Sequence, residues 1–310
     1  MITTVTLNPA IDRTLYLDHF RPGEVNRVSS IIETIGGKGI NVSRTLHSLG
    51  IPTRATGFIG SRNQYRVDEL FHESGIDVDF ATIDATTRTN TKVVDLHNRS
   101  TTDLNEPGMK VEEDQILEWI AGFDESVDSS EYVVLSGSLP VGCPSDTYRK
   151  IQNRFKGRTR FVLDADLQAL CEGIDGGPYL IKPNLNELRE AFDVTLADEH
   201  EIIAFSRKLI QTYGITVVLV SMGEDGGLLI MKERAYRADA LKVELKSTAG
   251  AGDAMLAGCL YGLAMDLPLN DVLRVAVICG SLACSIQRGE TFTRDDILAH
   301  WDEVQPTLVG

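Results

Sequence analysis

Apolar runs of strand length alternate with segments of helical period along the chain. The strand-like runs fall at 2–7, 54–59, 92–96, 132–135, 160–163, 179–181, 215–220 and 227–231. Several are unbroken Val, Ile and Leu stretches, the pattern of strands buried on both faces of a parallel sheet. Between them, residues 40–49, 66–73, 113–122, 145–155, 199–213, 253–265, 270–287 and 294–300 repeat apolar side chains at helical spacing. Gly50, Gly75 and Gly214 follow three of these segments in the position of a helix-ending residue. Alternating strands and helices with short connections predict a doubly wound α/β domain. Two stretches break the rhythm. Residues 12–35 and about 86–106 hold short strand-like runs with no helix between them. They predict a small β-sheet appended to the main one, placed as a lid beside a ligand crevice. No internal repeat, low-complexity segment or flexible linker interrupts residues 1–310, so a single domain is expected.

Charge narrows the partners. Thirty Lys and Arg stand against 45 Asp and Glu, a net charge of −15. Nucleic-acid binding needs a basic footprint, so that role is disfavoured, and so is an anionic membrane surface. Anions can still bind where local cations or backbone N–H groups override the global field. No apolar run reaches spanning length, and residues 1–7 lack the charged start and apolar core of a secretion signal. The five cysteines (Cys143, Cys171, Cys259, Cys279 and Cys284) are odd in number, scattered, and not at metal spacing. They read as buried thiols of a cytoplasmic protein.

The phosphate motifs of Walker-type NTPases and dinucleotide-binding folds are absent, as is the nucleophile elbow of α/β hydrolases. Five other segments carry candidate chemistry. In Ser247-Thr248-Ala249-Gly250-Ala251-Gly252-Asp253, two glycines permit a tight turn before a long apolar helix. Successive N–H groups there would face an anion. Asp253 is either a base for a hydroxyl nucleophile or a plain N-cap. Gly36-Gly37-Lys38-Gly39-Ile40-Asn41 brings N–H groups and one cation to another helix start, with Asn41 able to bond a polyol; the alternative is a glycine-rich turn with a surface lysine. Asp12, in Asn8-Pro9-Ala10-Ile11-Asp12, follows the first strand and is either a crevice carboxylate or a turn residue. Asn184 and Glu187 share one face of a starting helix, where they can hold a hydrated Mg2+ or simply form a capping box. The glycine-rich stretch 221–227 lies between two apolar strands and is a hairpin, or a surface for a nucleotide.

The order of these segments is more specific than any one of them. Asn-Pro-x-x-Asp, Gly-Gly-Lys-Gly-x-Asn, Thr87-Arg88-Thr89-Asn90, Asn105-Glu106-Pro107-Gly108, Ser136-Gly137-Ser138-Leu139-Pro140, Lys182-Pro183-Asn184-x-x-Glu187, Ser221-x-Gly223 and Gly250-Ala251-Gly252-Asp253 follow one another from residue 8 to 253. Nearly the whole chain thus resembles the PfkB (ribokinase-like) carbohydrate kinases, in particular their hexose-phosphate kinase branch. The resemblance implies a three-layer α/β/α domain with a mostly parallel central sheet and a β lid. It also implies ATP- and Mg2+-dependent phosphorylation of a ketohexose phosphate. Fructose 1-phosphate is the first expectation, with tagatose 6-phosphate and fructose 6-phosphate as alternatives, and an inactive sugar-phosphate sensor as the reading of another class.

Residue roles follow from the same resemblance. Asp253 would be the base, with the N–H groups of Gly250, Ala251 and Gly252 as the anion hole. Asp12, Gly37, Lys38, Asn41, Arg88, Asn90 and Ser138 would bind the sugar phosphate, Arg88 suiting a phosphate fork. Lys182, Asn184, Ser221, Gly223, Gly226, Thr248 and Gly280 would line the nucleotide, with Asn184 and Glu187 holding Mg2+ through water. A homodimer through the lid is implied as well. Five positions depart from the family pattern. Asp166 adds a carboxylate after Asp164, Ala249 and Ala254 replace a usual Val and Ser, and Glu24 and Asn26 stand where some relatives carry cations.

Overall fold

The computed structural model describes residues 1–287 and 289–310. Strand β1 (Ile2–Thr6) opens the main sheet. The chain then crosses into a second sheet through β2 (Ala10–Leu17) and β3 (Ser30–Gly36), and returns by α1 (Lys38–Ser48) and β4 (Thr53–Gly60). Helix α2 (Gln64–Ser74) and β5 (Asp77–Ile83) complete one side, before β6 (Arg88–Asp95) and β7 (Ser100–Asn105) revisit the second sheet. Helices α3 (Glu113–Gly122) and α4 (Asp124–Asp128) lead to β8 (Tyr132–Gly137), α5 (Thr147–Arg154), β9 (Arg160–Ala165) and α6 (Leu167–Gly173). There follow β10 (Leu180–Ile181), α7 (Leu185–Phe192), α8 (Glu199–Tyr213), β11 (Val217–Ser221), β12 (Gly227–Ile230) and β13 (Ala235–Ala238). Helices α9 (Ala251–Ala264), α10 (Leu269–Ser285) and α11 (Arg294–Ala299) and strand β14 (Thr307–Leu308) end the chain.

The main sheet runs β14-β13-β12-β11-β10-β9-β8-β1-β4-β5. The strands from β5 to β11 in that row are parallel, and β12, β13 and β14 are antiparallel. From β1 the chain builds outward to β4 and β5, then crosses to β8 and builds the other way. That reversal opens a crevice at the carboxyl ends of β1 and β8, where ligands of such sheets bind.

Strand alternation feeds two cores, one on each face. Val133 and Leu135 of β8 join the core on one face, with Ile116 of α3, Ile151 of α5 and Leu209 of α8. Tyr132 and Val134 join the other, with Leu46 of α1, Leu256 and Leu260 of α9 and Val275 and Ile278 of α10. Helix α9 is buried without a break from Asp253 to Gly262, between the sheet and α10. A helix enclosed on all sides needs an almost wholly apolar sequence, and residues 254–263 supply one.

The second sheet, in the order β3-β2-β6-β7, is the lid. Its register pairs Ile11 with Ile35 and Asp12 with Asn90. Period two then sends these pairs to opposite faces. Ile11 and Ile35 pack on Val67 and Leu70 of α2, anchoring the sheet to the body. Asp12 and Asn90 face the other way.

The expected strands and helices are all present, within a few residues of their ends. The 92–96 run belongs to the lid as β6. Gly50, Gly75 and Gly214 have left-handed φ of 80°, 69° and 72°, as helix-ending glycines should. Five elements were not expected: β5, α4, α6, β13 and β14. β5 mixes Asp with apolar residues and is half exposed at the sheet edge, so it lacks the continuous apolar signature of its neighbours. α6 has seven residues and β14 only two, too few to set a period. No helix of the described residues is long and apolar enough to cross a membrane.

Gly57 on β4 shows how close the central strands run. Its φ is +141°, and a Cβ built there would lie 2.0 Å from the Thr6 carbonyl oxygen of β1. Gly57→Ala should therefore destabilise the fold by about 3 kcal/mol, read as a lowered midpoint in urea denaturation.

Candidate active site

The crevice collects polar side chains from the carboxyl ends of successive strands. Asn8 follows β1, Ser138 follows β8, Asp164 lies near the end of β9, Lys182 follows β10, and Ser221 ends β11. Lys38 and Asn41 come from the first turn of α1, and Asp253 from that of α9. These helices pack against each other, which brings residues 212 positions apart into contact.

Asp253 is the third residue of α9, after an N-cap at Gly250, so the plain N-cap alternative does not hold. Gly250 has a left-handed φ of 82°, which turns the chain sharply into the helix. The first-turn N–H groups have no intrahelical acceptor. That of Ala251 reaches the Thr248 carbonyl at 3.3 Å. The Asp253 carboxylate accepts a 2.8 Å hydrogen bond from Asn41 Nδ2. Burial pushes its pKa up, and the nearby charge of Asp164 adds to the rise. The Asn41 hydrogen bond, Lys182 and Lys38 oppose it, and the pKa rests at about 6.

Lys38 and Lys182 converge on one oxygen of Asp164, at 3.2 and 3.4 Å. Lys38 also lies 3.6 Å from Asp166 and 3.7 Å from Glu187. Burial alone would lower the Lys38 pKa, but Asp164, then Glu187, Asp166 and Asp253, raise it far above its ordinary value. Lys38 is thus a held ammonium in a carboxylate nest, not the surface lysine of the alternative reading. A Cβ placed on Gly252 would lie 3.3 Å from Lys182 Nζ, so that ammonium sits beside the turn that opens α9.

The lid supplies a second group. Asn90 Nδ2 donates to Asp12 Oδ1 at 3.3 Å. Asp12 is buried within β2, rather than in a turn. Arg88 donates to the carbonyls of Asn8 and Glu106, at 3.0 and 3.1 Å. Burial lowers its pKa, with Asp12, Asp166 and Glu106 opposing. Asn8 Nδ2 donates to Ser138 Oγ at 3.2 Å. Four buried polar atoms of these groups have no hydrogen-bond partner in the protein: Asn8 Oδ1, Arg88 Nε, Asn90 Oδ1 and Asp164 Oδ2. Orphans are rare in native interiors, and a hydroxyl-rich ligand would satisfy them.

Next to the Lys38 nest lies a cleft of about 680 Å³, lined by Asp166, Asn184, Glu187, Glu190, Ser221 and Gly223 among others. Asn184 and Glu187 form a reciprocal capping box at the start of α7, each side chain accepting from the other's backbone N–H at 2.8 Å. Glu187 Oε1 remains turned toward Lys38. Gly226 packs instead against residues 238–240 at the base of the β11–β12 hairpin, where a Cβ would be 2.1 Å from the Ala238 carbonyl oxygen. Gly280 lets α10 approach α9: a Cβ built on it would lie 3.2 Å from Met255 Cβ. Gly37, with φ of 132°, seats the start of α1 against Thr6. These three glycines shape the backbone around the site.

Two site residues stood outside the expected set of ligand-binding positions. Asp164 holds both lysines; its signal was its place at the end of a buried strand. Arg44 donates to Asn41 Oδ1 at 3.0 Å; nothing in the local sequence marks that role.

Fold and site together define an enzyme that transfers an anionic group at the mouth of a parallel sheet. The model of the pfkB family of carbohydrate kinases matches residues 5–293. The chain is 36% identical to the 1-phosphofructokinase of Bacillus subtilis (strain 168) over 282 residues, 91% of each chain. It is 32% identical to that of Escherichia coli (strain K12) over 292 residues, 92% of this chain and 91% of the relative. The structure of phosphofructokinase-2 from Escherichia coli, in complex with substrates and products, superposes with a TM-score of 0.90. Identity there is 25%, over 97% of this chain and 98% of that one. The chain belongs to the pfkB family of carbohydrate kinases. It is a phosphotransferase that uses ATP to phosphorylate a carbohydrate.

Asp164→Ala should leave two ammonium groups without their shared partner, one of them on Lys182, which is 5% exposed. A loss of about 3–5 kcal/mol is expected in urea denaturation.

Proposed function

We propose that the protein transfers the γ-phosphoryl group of ATP to a ketohexose phosphate, with fructose 1-phosphate as substrate and fructose 1,6-bisphosphate as product. The observation that carries the chemistry is Asp253. It is a buried carboxylate with a pKa of about 6, in the first turn of a helix that starts at a left-handed glycine. A base tuned toward working pH removes a proton from a hydroxyl most efficiently. The sugar names rest on the 1-phosphofructokinase relatives.

The mechanism is direct in-line transfer. Asp253 takes the proton of the accepting hydroxyl as its oxygen attacks the γ-phosphorus, and ADP leaves. The N–H groups of Gly250, Ala251 and Gly252 receive the charge of the transferring phosphoryl oxygens, that of Ala251 giving up its long bond to the Thr248 carbonyl. Lys182 and Lys38 flank that turn. Asp12, Asn41, Asn90 and Ser138 orient sugar hydroxyls, and the orphaned atoms of Asn8 and Asn90 support a polyol there. Arg88 lies beside the sugar's own phosphate. The 680 Å³ cleft, with Lys182, Ser221, Gly223 and Thr248 nearby, takes the nucleotide. The cleft's oxygen-only donors, Asn184 and Glu187, fit Mg2+, a hard cation that keeps several waters. When bound it supplies positive charge against the triphosphate.

A homodimer through the lid is the companion reading. Ile31, Leu96 and Leu104 on or beside the lid strands are each more than half exposed, an apolar surface suited to a second copy. Sedimentation at micromolar concentration should give twice the chain mass. All five thiols are free, which suits the cytoplasm.

Asp253→Asn should lower turnover by roughly 10²–10⁴-fold while ATP still binds in calorimetry; near-normal turnover would remove the base assignment. In the unmodified protein the base works only as carboxylate. Thus kcat/KM should fall about tenfold per pH unit as pH drops below about 6. A panel of fructose 1-phosphate, fructose 6-phosphate and tagatose 6-phosphate should give the highest kcat/KM with the first. Product formation from none of them would favour the inactive sensor.

A further inference from the structure

Asn41 can satisfy Asp253 only if its amide is turned the right way. An amide offers an NH2 donor on one side and a carbonyl acceptor on the other, nearly equal in shape. Turned one way it donates to the Asp253 carboxylate. Turned the other way it sets an oxygen against that carboxylate and favours the protonated acid. The deciding neighbour is Arg44, one turn further along α1. Its Nη1 donates to Asn41 Oδ1 at 3.0 Å, and its Nη2 donates to the Ile35 carbonyl. A guanidinium has five donors and no acceptor, so only the amide oxygen can face it. The NH2 group is thereby left for Asp253, at 2.8 Å. The second bond reaches the end of lid strand β3, just before Gly36 and Gly37 lead into α1. One side chain thus joins the lid's root to the carboxylate that takes the proton.

We propose that Arg44 is a positioning residue for phosphoryl transfer: it locks the Asn41 amide with its NH2 on Asp253 and ties that orientation to the position of β3. The proposal rests on the reading of Asp253 as base. The groups around that carboxylate are Asn41 and Lys38 from α1, Asp164 from β9 and Lys182 after β10. Arg44 acts through the first of them. With Arg44 in place the amide stabilises the ionised base. Without it the amide is free to turn, and the base holds its proton to higher pH.

The test is the pH profile of kcat/KM for ATP-dependent phosphorylation of fructose 1-phosphate. Arg44→Met keeps much of the side-chain volume and removes every donor. Its acid limb should move up by about one pH unit. That shift makes the variant roughly fivefold slower at pH 6, and within about twofold of the unmodified protein at pH 8.5. Arg44→Lys retains one donor for Asn41 Oδ1 and should return most of the shift. A purely structural role would lower activity evenly across pH and lower the melting temperature without moving the limb. Asp253→Asn, run alongside, separates the two claims. If it is inactive while Arg44→Met leaves the limb in place, the positioning role is wrong and the base assignment stands. If it turns over normally, the base assignment itself fails. Should Arg44→Met not fold, the unmodified protein decides. The side-chain NH2 signals of Asn41 in 15N–1H spectra should move with the titration of Asp253, and signals constant from pH 5 to 8 would overturn the proposal.

Discussion

Two ammonium groups, Lys38 Nζ and Lys182 Nζ, meet on a single oxygen of Asp164, whose side chain is wholly buried. A charge in a protein interior is costly unless paired, so this three-membered cluster fixes much around it. It locates the start of α1 relative to β9 and β10. It brings cations to the turn before α9, beside the first-turn N–H groups of that helix. Its own negative charge is felt by Asp253 and helps hold that carboxyl near neutrality. The same pair of lysines limits the rise. The pKa of Asp253 is set by a balance between burial and Asp164 on one side and two cations and an amide on the other.

That balance explains how a chain of charge −15 handles anionic ligands. The positive potential is local, made by two lysines and a helix start on a small patch of crevice. The remaining acidic residues lie mostly on the surface, where solvent screens them. Lys38 is held by three carboxylates in the protein alone. A phosphate arriving beside it competes with Asp166 and Glu187, which gives the added carboxylate at 166 a direct electrostatic consequence.

The lid divides its work by strand alternation. One face, with Ile11 and Ile35, is fastened to α2. Glu33 on β3 adds a two-pronged pair to Arg66 of α2, at 2.7 and 2.9 Å. The other face carries Asp12 and Asn90 to the crevice. A slip of one residue would exchange these faces, so the anchor contacts and the buried Asp12 carboxylate specify the same register.

Hydrophobic periodicity along the chain determined the α/β class, nearly every buried strand and helix, and the existence of a separate β lid, because burial on one or two faces leaves a local imprint on sequence. The glycine-rich turns and their order likewise marked the family to which the chain belongs. Elements without that imprint, such as the half-polar edge strand β5 and the short α6, were not legible. Nor were partnerships. Asp164 reads in sequence as one more carboxylate at a strand end, and Arg44 as one more surface arginine. Asn184 and Glu187 fit a cap and a cation site equally well until the cleft beside them is known. Only the tertiary structure decided that Asp164 holds two lysines and that Asn41 joins Arg44 to Asp253. Hydrogen bonds and ion pairs between residues far apart in the chain arise from packing, and no local sequence pattern records them.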